Sequence, residues 1–274
     1  MSRERSPMNS VDKALLALEC LSKAGDGLSL GSLASMLGLK KNSLHRTLSA
    51  LRYRGYVIQD AESGNYQLGP TPLRLADNYV NENRLWVAFQ PILRVLSAEV
   101  NELCHLGILD GTDIVCMGRV EPALDVRVWT TVGQRSVAVT SAMGRAIVAF
   151  LDADFESFSA KFCNPIPQRT PHTQTDPYDV WDEVQAARRR GYAIEHQQSQ
   201  EGVSCVAFPV LRKGLPILSI SVTAPCERMS SARISKIVVK TRELLKTRLP
   251  IGLALPEPQK APGSPNENRL RAQP

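Results

Sequence analysis

Two hydrophobic rhythms divide this chain. Through residues 11–100 apolar residues recur mostly at helical spacing, and from Leu103 onward stretches of period two alternate with further helical ones. The segment Leu28–Gly69 carries the densest local signal. Leu30, Leu33 and Leu37 form one helical stripe with the small Ala34 beside it, and Gly38 follows where a left-handed residue would end the helix. Leu44, Leu48 and Leu51 form a second stripe at i, i+4 and i+7. Gly55 closes that helix. Tyr56–Gln59 and Asn65–Leu68 are rich in aromatic and β-branched residues, and the turn-forming run Asp60–Gly64 lies between them, so they pair as a hairpin. Helix, tight turn, helix and hairpin make a winged helix-turn-helix.

The second stripe leaves Asn42, Arg46, Ser49 and Tyr53 on the opposite face, with Lys41 and His45 beside them and no acidic residue. A helix that reads DNA needs this combination, because it must dock on a polyanion and still offer hydrogen bonds to base edges. An ordinary solvated helical hairpin has a similar pattern, and the hairpin that follows tips the reading toward DNA. Asp60 and Glu62 at the wing tip would be repelled by phosphate, so the wing is expected to brace the fold more than to grip DNA.

A preceding helix is predicted over Val11–Lys23, with Ser10 as its N-cap. Its leucines (Leu15, Leu16, Leu18, Leu21) exceed what one narrow face needs, so part of that surface suits a partner subunit. After Pro70 and Pro72 the pattern is helical from Leu73 to Asn101, with a new start at Pro91. This stretch is the expected mechanical connection between two domains. Beyond it, strands are predicted at Cys104–Leu109, Asp113–Val120, Asp125–Trp129, Tyr192–Glu195, Val203–Leu211 and Ile217–Ala224. Helices are predicted at Ala142–Leu151, Pro177–Arg190 and Ser230–Thr247. Hairpin turns make the sheet largely antiparallel, which gives an α+β domain.

Length and composition narrow the picture further. A chain of 274 residues with 43% hydrophobic and 22% charged residues is an ordinary two-domain globular protein. A net charge of +6 and a pI near 9.1 suit a nucleic-acid partner. No apolar run approaches the roughly 20 residues of a membrane span, and MSRERSPMNS has no apolar signal core, so a cytoplasmic location is expected. The six cysteines are scattered without a C-x-x-C pair, which argues for reduced thiols and against zinc. No dinucleotide, P-loop, metalloprotease or nucleophile-elbow motif is present, and no cofactor, metal or catalytic residue is expected. The ends, residues 1–9 and 256–274, are expected to be disordered.

Two local features suggest a ligand cavity. Ser141 precedes AMGRAIVAFL, where it can cap a helix whose first amides, on Ala142 and Met143, would favour a carboxylate. In ILSISVTA the hydroxyl residues Ser219, Ser221 and Thr223 alternate with Leu218, Ile220 and Val222. Each feature also has a plain structural reading, as a helix end and as a solvated sheet face. A Cys205 nucleophile with His196 as base, or a metal site joined by Glu195, is disfavoured. Glu195 and His196 are neighbours on one strand and face opposite ways, and the apolar run around Cys205 would keep its thiol protonated.

Several of these motifs, in this order, resemble IclR-type bacterial transcriptional regulators. They are Ser10–Ala14 opening the first helix, LKKNSLHR at Leu39–Arg46, and Gly55–Val57 leading to Tyr66–Gly69. The resemblance covers about residues 10–255. It implies a two-domain fold: a winged helix-turn-helix over 10–70, a linker helix over 71–86, and a GAF/PAS-like α+β effector domain with a largely antiparallel sheet over 87–255. It implies a homodimer or homotetramer that binds a double-stranded DNA operator and responds to a small organic acid. Asn42, Ser43, His45, Arg46 and Ser49 are the expected base-reading positions, with Lys40 and Lys41 on phosphates. By match to the family's positions, the effector would meet Ala142, Met143, Glu195, Val203, Cys205, Ser221 and Thr223. The chain departs from the family pattern in having Val137–Ala138–Val139 before the helix, a longer Glu195 where aspartate is common, and a bulkier Met143. Two rival readings are an enzyme of small-acid metabolism centred on Cys205 and a DNA-binding architectural protein with no ligand.

Overall fold

The computed structural model describes residues 9–82, 84–124, 128–151, 154–163 and 165–259. The chain separates into two compact units, Met1–Asn83 and Arg84–Pro274.

In the first unit α1 (Asn9–Leu21), α2 (Leu30–Leu37) and α3 (Lys41–Tyr53) surround a core of Ala17, Leu21, Leu33, Ala34, Leu44 and Leu48. Helix α1 begins two residues earlier than the sequence suggested, and Ser10 lies inside it, so Ser10 is not the cap. Ser29 caps α2 by accepting from the Ser32 amide, and Gly38 ends it in the left-handed conformation at φ 63°. Strands β1 (Val57–Gln59) and β2 (Tyr66–Leu68) pair antiparallel as the wing, closing the core with Val57 and Tyr66. The wing tip is a tight turn in which Asp60 Oδ1 accepts from the Glu62 and Ser63 amides and the Ser63 hydroxyl. Helix α4 (Thr71–Glu82) follows.

The second unit opens with α5 (Arg84–Val100). Pro91 lies inside this helix and does not start a new one. Burial of Trp86, Phe89, Ile92, Leu93, Leu96 and Val100 along one face offsets the roughly 3 kcal/mol that an interior proline costs. The sheet strands are β3 (Leu103–Asp110), β4 (Asp113–Val120), β5 (Arg135–Val137), β6 (Ala193–His196), β7 (Val203–Arg212), β8 (Leu215–Pro225) and β9 (Leu253–Ala254). They form one antiparallel sheet in the order β5-β4-β3-β8-β7-β6, with β9 also pairing with β7. The strand predicted at Asp125–Trp129 falls partly outside the described residues, and Val128 and Trp129 belong to no strand.

Helices α6 (Ala142–Val148), α7 (Phe155–Phe162) and α8 (Pro177–Arg190) share a core with Ala193 and Ala207 on one face of this sheet. Helix α6 stops three residues short of the expected Leu151, and α7 and β5 had no counterpart in the sequence reading. Asp176 caps α8 by accepting from the Tyr178 and Asp179 amides, and Gly191 ends it in the left-handed conformation at φ 74°. Helix α9 (Ser231–Arg248), capped by Ser230, packs against α5. After it, Pro256 is buried, its carbonyl accepts from Arg242, and the Gln259 amide donates to Arg189 O, so Pro256–Gln259 are ordered.

A bulge in β4 assigns the two faces. Gly107 pairs with Cys116 but Leu106 pairs with Gly118, so Met117 is the extra residue and side-chain parity flips there. Gly118 consequently lies under the Trp86 ring of α5, where a Cβ would overlap the indole. On the other face, a Cβ on Gly107 would stand 2.9 Å from Met143 Sδ of α6. That second face holds the cavity.

Candidate functional site

On α3, Lys41, Asn42, His45, Arg46 and Ser49 are exposed, as is Lys40 just before the helix, while Ser43 is half-buried and Leu44 and Leu48 face the core. The seven positions singled out for DNA therefore share the outer surface of α3 and its N-terminal edge, with no carboxylate among them. The Ser49 hydroxyl donates to His45 O at 2.9 Å, which leaves its lone pairs to face outward. Nothing caps α3 at Lys40, so its first amides remain available to an anion such as a backbone phosphate.

The second unit holds a cavity of about 280 Å³. Ala142, Met143, Glu195, Val203, Cys205, Ser221 and Thr223, spread over 82 positions of sequence (142–223), all line it. Strand register explains how. Glu195 on β6 pairs with Cys205 on β7, and Cys205 pairs with Thr223 on β8, so the three stand in one row across the sheet. Ser221, two residues from Thr223, pairs with His105 on β3. Ser219, Ser221 and Thr223 are buried, and so are Leu218, Ile220 and Val222 behind them, which makes both faces of β8 interior.

The roof is the start of α6. Ser141 Oγ accepts from the Gly144 amide at 3.1 Å, completing the predicted cap. Ala142 and Met143, as the first residues of the helix, have no intrahelical acceptor for their amides.

Glu195 is buried, and its carboxylate is already engaged. Oε1 accepts from the Gln198 amide and from the Ser199 amide at 3.0 Å, and Oε2 accepts from the Ser199 hydroxyl at 3.2 Å. Burial pushes its pKa up, with these hydrogen bonds pulling the other way. Cys205 Sγ lies 3.2 Å from Thr223 Oγ1, and burial, reinforced by Glu195, holds the thiol protonated. His196 is exposed on the opposite face, 3.2 Å from Ser204 Oγ, so Glu195, His196 and Cys205 do not assemble into one centre.

Three residues that sequence reasoning did not single out shape this site. His105 is buried at the cavity floor. Its Nδ1 lies 3.2 Å from Ser221 Oγ and 3.3 Å from Thr223 Oγ1, and its Nε2 lies 2.7 Å from Thr130 Oγ1. Arg169 reaches the cavity from the exposed loop before α8. Arg145 lies fully buried behind α6, donating from Nε to Val139 O at 2.7 Å and from Nη2 to Gln174 Oε1 and Gln198 Oε1. Gln198 thus ties Arg145 to the Glu195 loop, and Thr170 and Thr173 tie the Arg169 loop to the Gln197 and Gln198 carbonyls.

Burial, then the nearby Arg119 charge, lowers the His105 pKa to about 4. Its unfolded value is near 6.5. The unfolded chain therefore binds the extra proton first, and stability is full above pH 6.5 and falls as pH drops toward 4. At about 1.4 kcal/mol per unit this histidine alone removes about 3 kcal/mol over that interval. Glu195, with its raised pKa, works in the opposite sense. Thermal melts at pH 7 and pH 5 should show a smaller acid loss in His105→Gln than in the parent, and equal losses would refute the assignment.

A basic winged helix-turn-helix joined to an α+β domain with an internal cavity defines a DNA-binding regulator with a separate effector domain. Two family models match, one in each domain. The IclR helix-turn-helix domain matches residues 10–61, and the C-terminal domain of the bacterial transcriptional regulator IclR matches residues 77–247. The chain belongs to the IclR family of bacterial transcriptional regulators. It is 28% identical to the HTH-type transcriptional regulator BhcR of Paracoccus denitrificans over 86% of both chains. It is 26% identical to XynR of Escherichia coli over 83% of this chain and 90% of that one. The crystal structure of an IclR-type regulator from Silicibacter sp. TM1040 superposes with a TM-score of 0.71 at 27% identity, covering 92% of this chain and 100% of that one. Among the described residues no helix is long and apolar enough to cross a membrane.

Proposed function

We propose that the protein is a ligand-responsive transcription factor that binds its operator through α3 and senses a small organic acid in the cavity of its second domain. The observation that carries this reading is the cavity itself. Seven residues chosen for their effector role converge on one cavity with a helix start at its roof. Cys205, kept protonated and facing a threonine hydroxyl, offers no support for an enzyme built on that thiol.

On the DNA side, Asn42, Ser43, His45, Arg46 and Ser49 would read base edges, with Lys40 and Lys41 on phosphates. Val11 and Leu15 on α1, and Leu73, Leu75 and Tyr79 on α4, leave a substantial apolar surface exposed in the first unit. That surface suits a second copy of the chain. A symmetric dimer would place two α3 helices about 34 Å apart, one turn of DNA, and so read an inverted repeat. Such a factor would work in the cytoplasm. Ligand binding would change operator affinity only as far as the ligand prefers one of two states of the dimer.

A gel-shift titration on DNA from the protein's own upstream region, with and without a panel of small carboxylic acids, tests the reading. Sequence-specific binding that an acid weakens or strengthens is the expected result. Salt-sensitive binding without sequence preference would overturn the operator role, and specific binding that no acid alters would overturn the sensing role.

A further inference from the structure

The proposed sensing role needs a path from the cavity to the stretch of chain that joins the two units, and strand β4 supplies one. Its bulge sets near neighbours to work on opposite faces of the sheet. Cys116, before the bulge, is buried and lines the cavity. Gly118, after it, is the seat of the Trp86 ring, and a Cβ there would stand 2.1 Å from Trp86 Cζ3. Cys116, Met117 and Gly118 thus link the ligand space on one side to the first buried residue of α5 on the other.

The bulge is also where β4 yields most readily. The register of β4 with β5 runs from Asp113 to Val115. At Cys116 the outer neighbour is instead the turn 131–134. The Cys116 amide donates to Gln134 O at 3.0 Å, and the Gly133 amide donates to Cys116 O at 2.7 Å. Gln134 itself lines the cavity, as does Thr130, which bonds to His105 at the floor. An extra residue disrupts the ladder locally and lets the strand bend there. Crowding at Cys116 or Gln134 therefore acts on the soft point of β4, and Met117 passes the displacement to Gly118.

Helix α5 is built to turn that displacement into a tilt. Its far end is clamped, because Arg233 and Lys240 of α9 donate to Val100 O and, at 3.2 Å, to Glu99 O. The Ser97 hydroxyl adds a bond to Glu102 O at 2.8 Å. Between this clamp and Trp86 stands Pro91. It carries no N–H, so the helical bond that would run from it to Val87 O is missing, and the helix is weakest there. Residues 84–90 can tilt about that point while 92–100 stay on α9. At the other end an indole ring rests on bare backbone, with no flexible side-chain tip between them to absorb a shift. Arg84 begins the second unit, so a tilt of residues 84–90 passes straight along the backbone toward α4.

We propose, on the basis of the sensing role above, that the Met117 bulge and the Trp86 ring transmit cavity occupancy to the DNA-binding unit, with Pro91 as the hinge of the movement. A ligand displaces the bulge, the seat under Trp86 shifts, and the foot of α5 tilts against its clamped end. It drives this only as far as it prefers one position of the bulge to the other. Neither Trp86 nor Pro91 lines the cavity, so both act on the response and not on the binding of the ligand.

The test uses the full-length protein, its operator DNA, and acetate, succinate, hexanoate and benzoate as probes. Calorimetry follows acid binding, and anisotropy follows operator affinity with and without saturating acid. In the parent at least one acid should change operator affinity by about five-fold or more. Trp86→Leu should bind that acid within about three-fold of the parent, yet its operator affinity should respond by less than about two-fold. Pro91→Ala restores the helical bond and should fold at least as firmly as the parent, so it reads out the same loss of response even if Trp86→Leu fails to fold. In protein labelled with fluorotryptophan, the Trp86 fluorine resonance, assigned by its loss in Trp86→Phe, should move when the acid is added and move less in Pro91→Ala.

A folded Trp86→Leu or Pro91→Ala that keeps the parent's response would overturn this inference and leave the sensing role standing. A Trp86 resonance that stays still under an acid that alters operator binding would overturn it equally. If no probe binds, or none alters operator affinity, the inference and the sensing reading fall together.

Discussion

Arg46→Ala is expected to cost the protein its discrimination between operator and random DNA. Arg46 is exposed on the outer face of α3, near the middle of the helix, and its guanidinium has no partner among the described residues. Arginine in the major groove can bond two acceptors of one guanine, and a pairing of that kind is worth about 1–3 kcal/mol of discrimination. A dimer makes the pairing twice, so operator affinity should fall by about two to three orders of magnitude while binding to random DNA falls far less. Stability should hardly change, because the side chain lies in a shallow surface groove beside Ser10 and Ala14 and is not buried. Lys41→Ala is the contrast. Removing an ammonium that sits on a phosphate should weaken all sequences alike and flatten the salt slope by about one unit per site. Fluorescence anisotropy across a salt series, on operator and on scrambled DNA, separates the two patterns. A uniform weakening from Arg46→Ala would make Arg46 a phosphate ligand, and unchanged binding would remove α3 as the reading helix.

The winged helix was legible in the sequence because everything that specifies it is local. The leucine stripes, Gly38, and the Asp60–Gly64 turn each act within a few residues, and the pairing of β1 with β2 follows from that turn. The second domain was legible only as a set of strands. Glu195, Cys205 and Thr223 become one row through long-range register, which no local pattern encodes, and without the family resemblance the hydroxyl face of β8 could as well have faced solvent. His105 was invisible for a related reason. It stands in an otherwise apolar strand, and only the pairing of β3 with β8 sets it against Ser221. The Met117 bulge, which turns Cys116 toward the cavity and Gly118 toward α5, leaves no recognisable trace in DIVCMGRV. Pro91 misled in the other direction, since burial of the α5 face overrides a strong local breaker. Helix α7 was missed because FESFSAKF is short, and its clearest signals are a single capping aspartate and three phenylalanines that only the core explains.

Gly144→Ala should be among the most damaging single-methyl changes in the effector domain. A Cβ at this position would overlap the backbone O, Cα and C of Ala138, which are not flexible side-chain ends that can swing aside. Helix α6 has little room to retreat, because it is packed against β6, β7, β8 and α8, and six of its seven residues are buried. Moving it would also stretch the Ser141 cap to the Gly144 amide and the Arg145 bond to Val139 O, leaving buried polar groups short of partners. Alanine in place of glycine returns up to about 1 kcal/mol of helix propensity, whereas overpacking against rigid backbone costs about 3 kcal/mol or more. A net loss of about 2 kcal/mol, a fall in melting temperature of about 4–8 °C for a domain of this size, is the expected result. The affinity for any ligand held at Ala142 and Met143 should fall with it, because those amides move with the helix. Calorimetric melting with and without a bound acid checks both effects. A variant that melts at the parent temperature or above would show that α6 can slide away from the Ala138 turn, and with it that the roof of the cavity is mobile and not fixed by this packing.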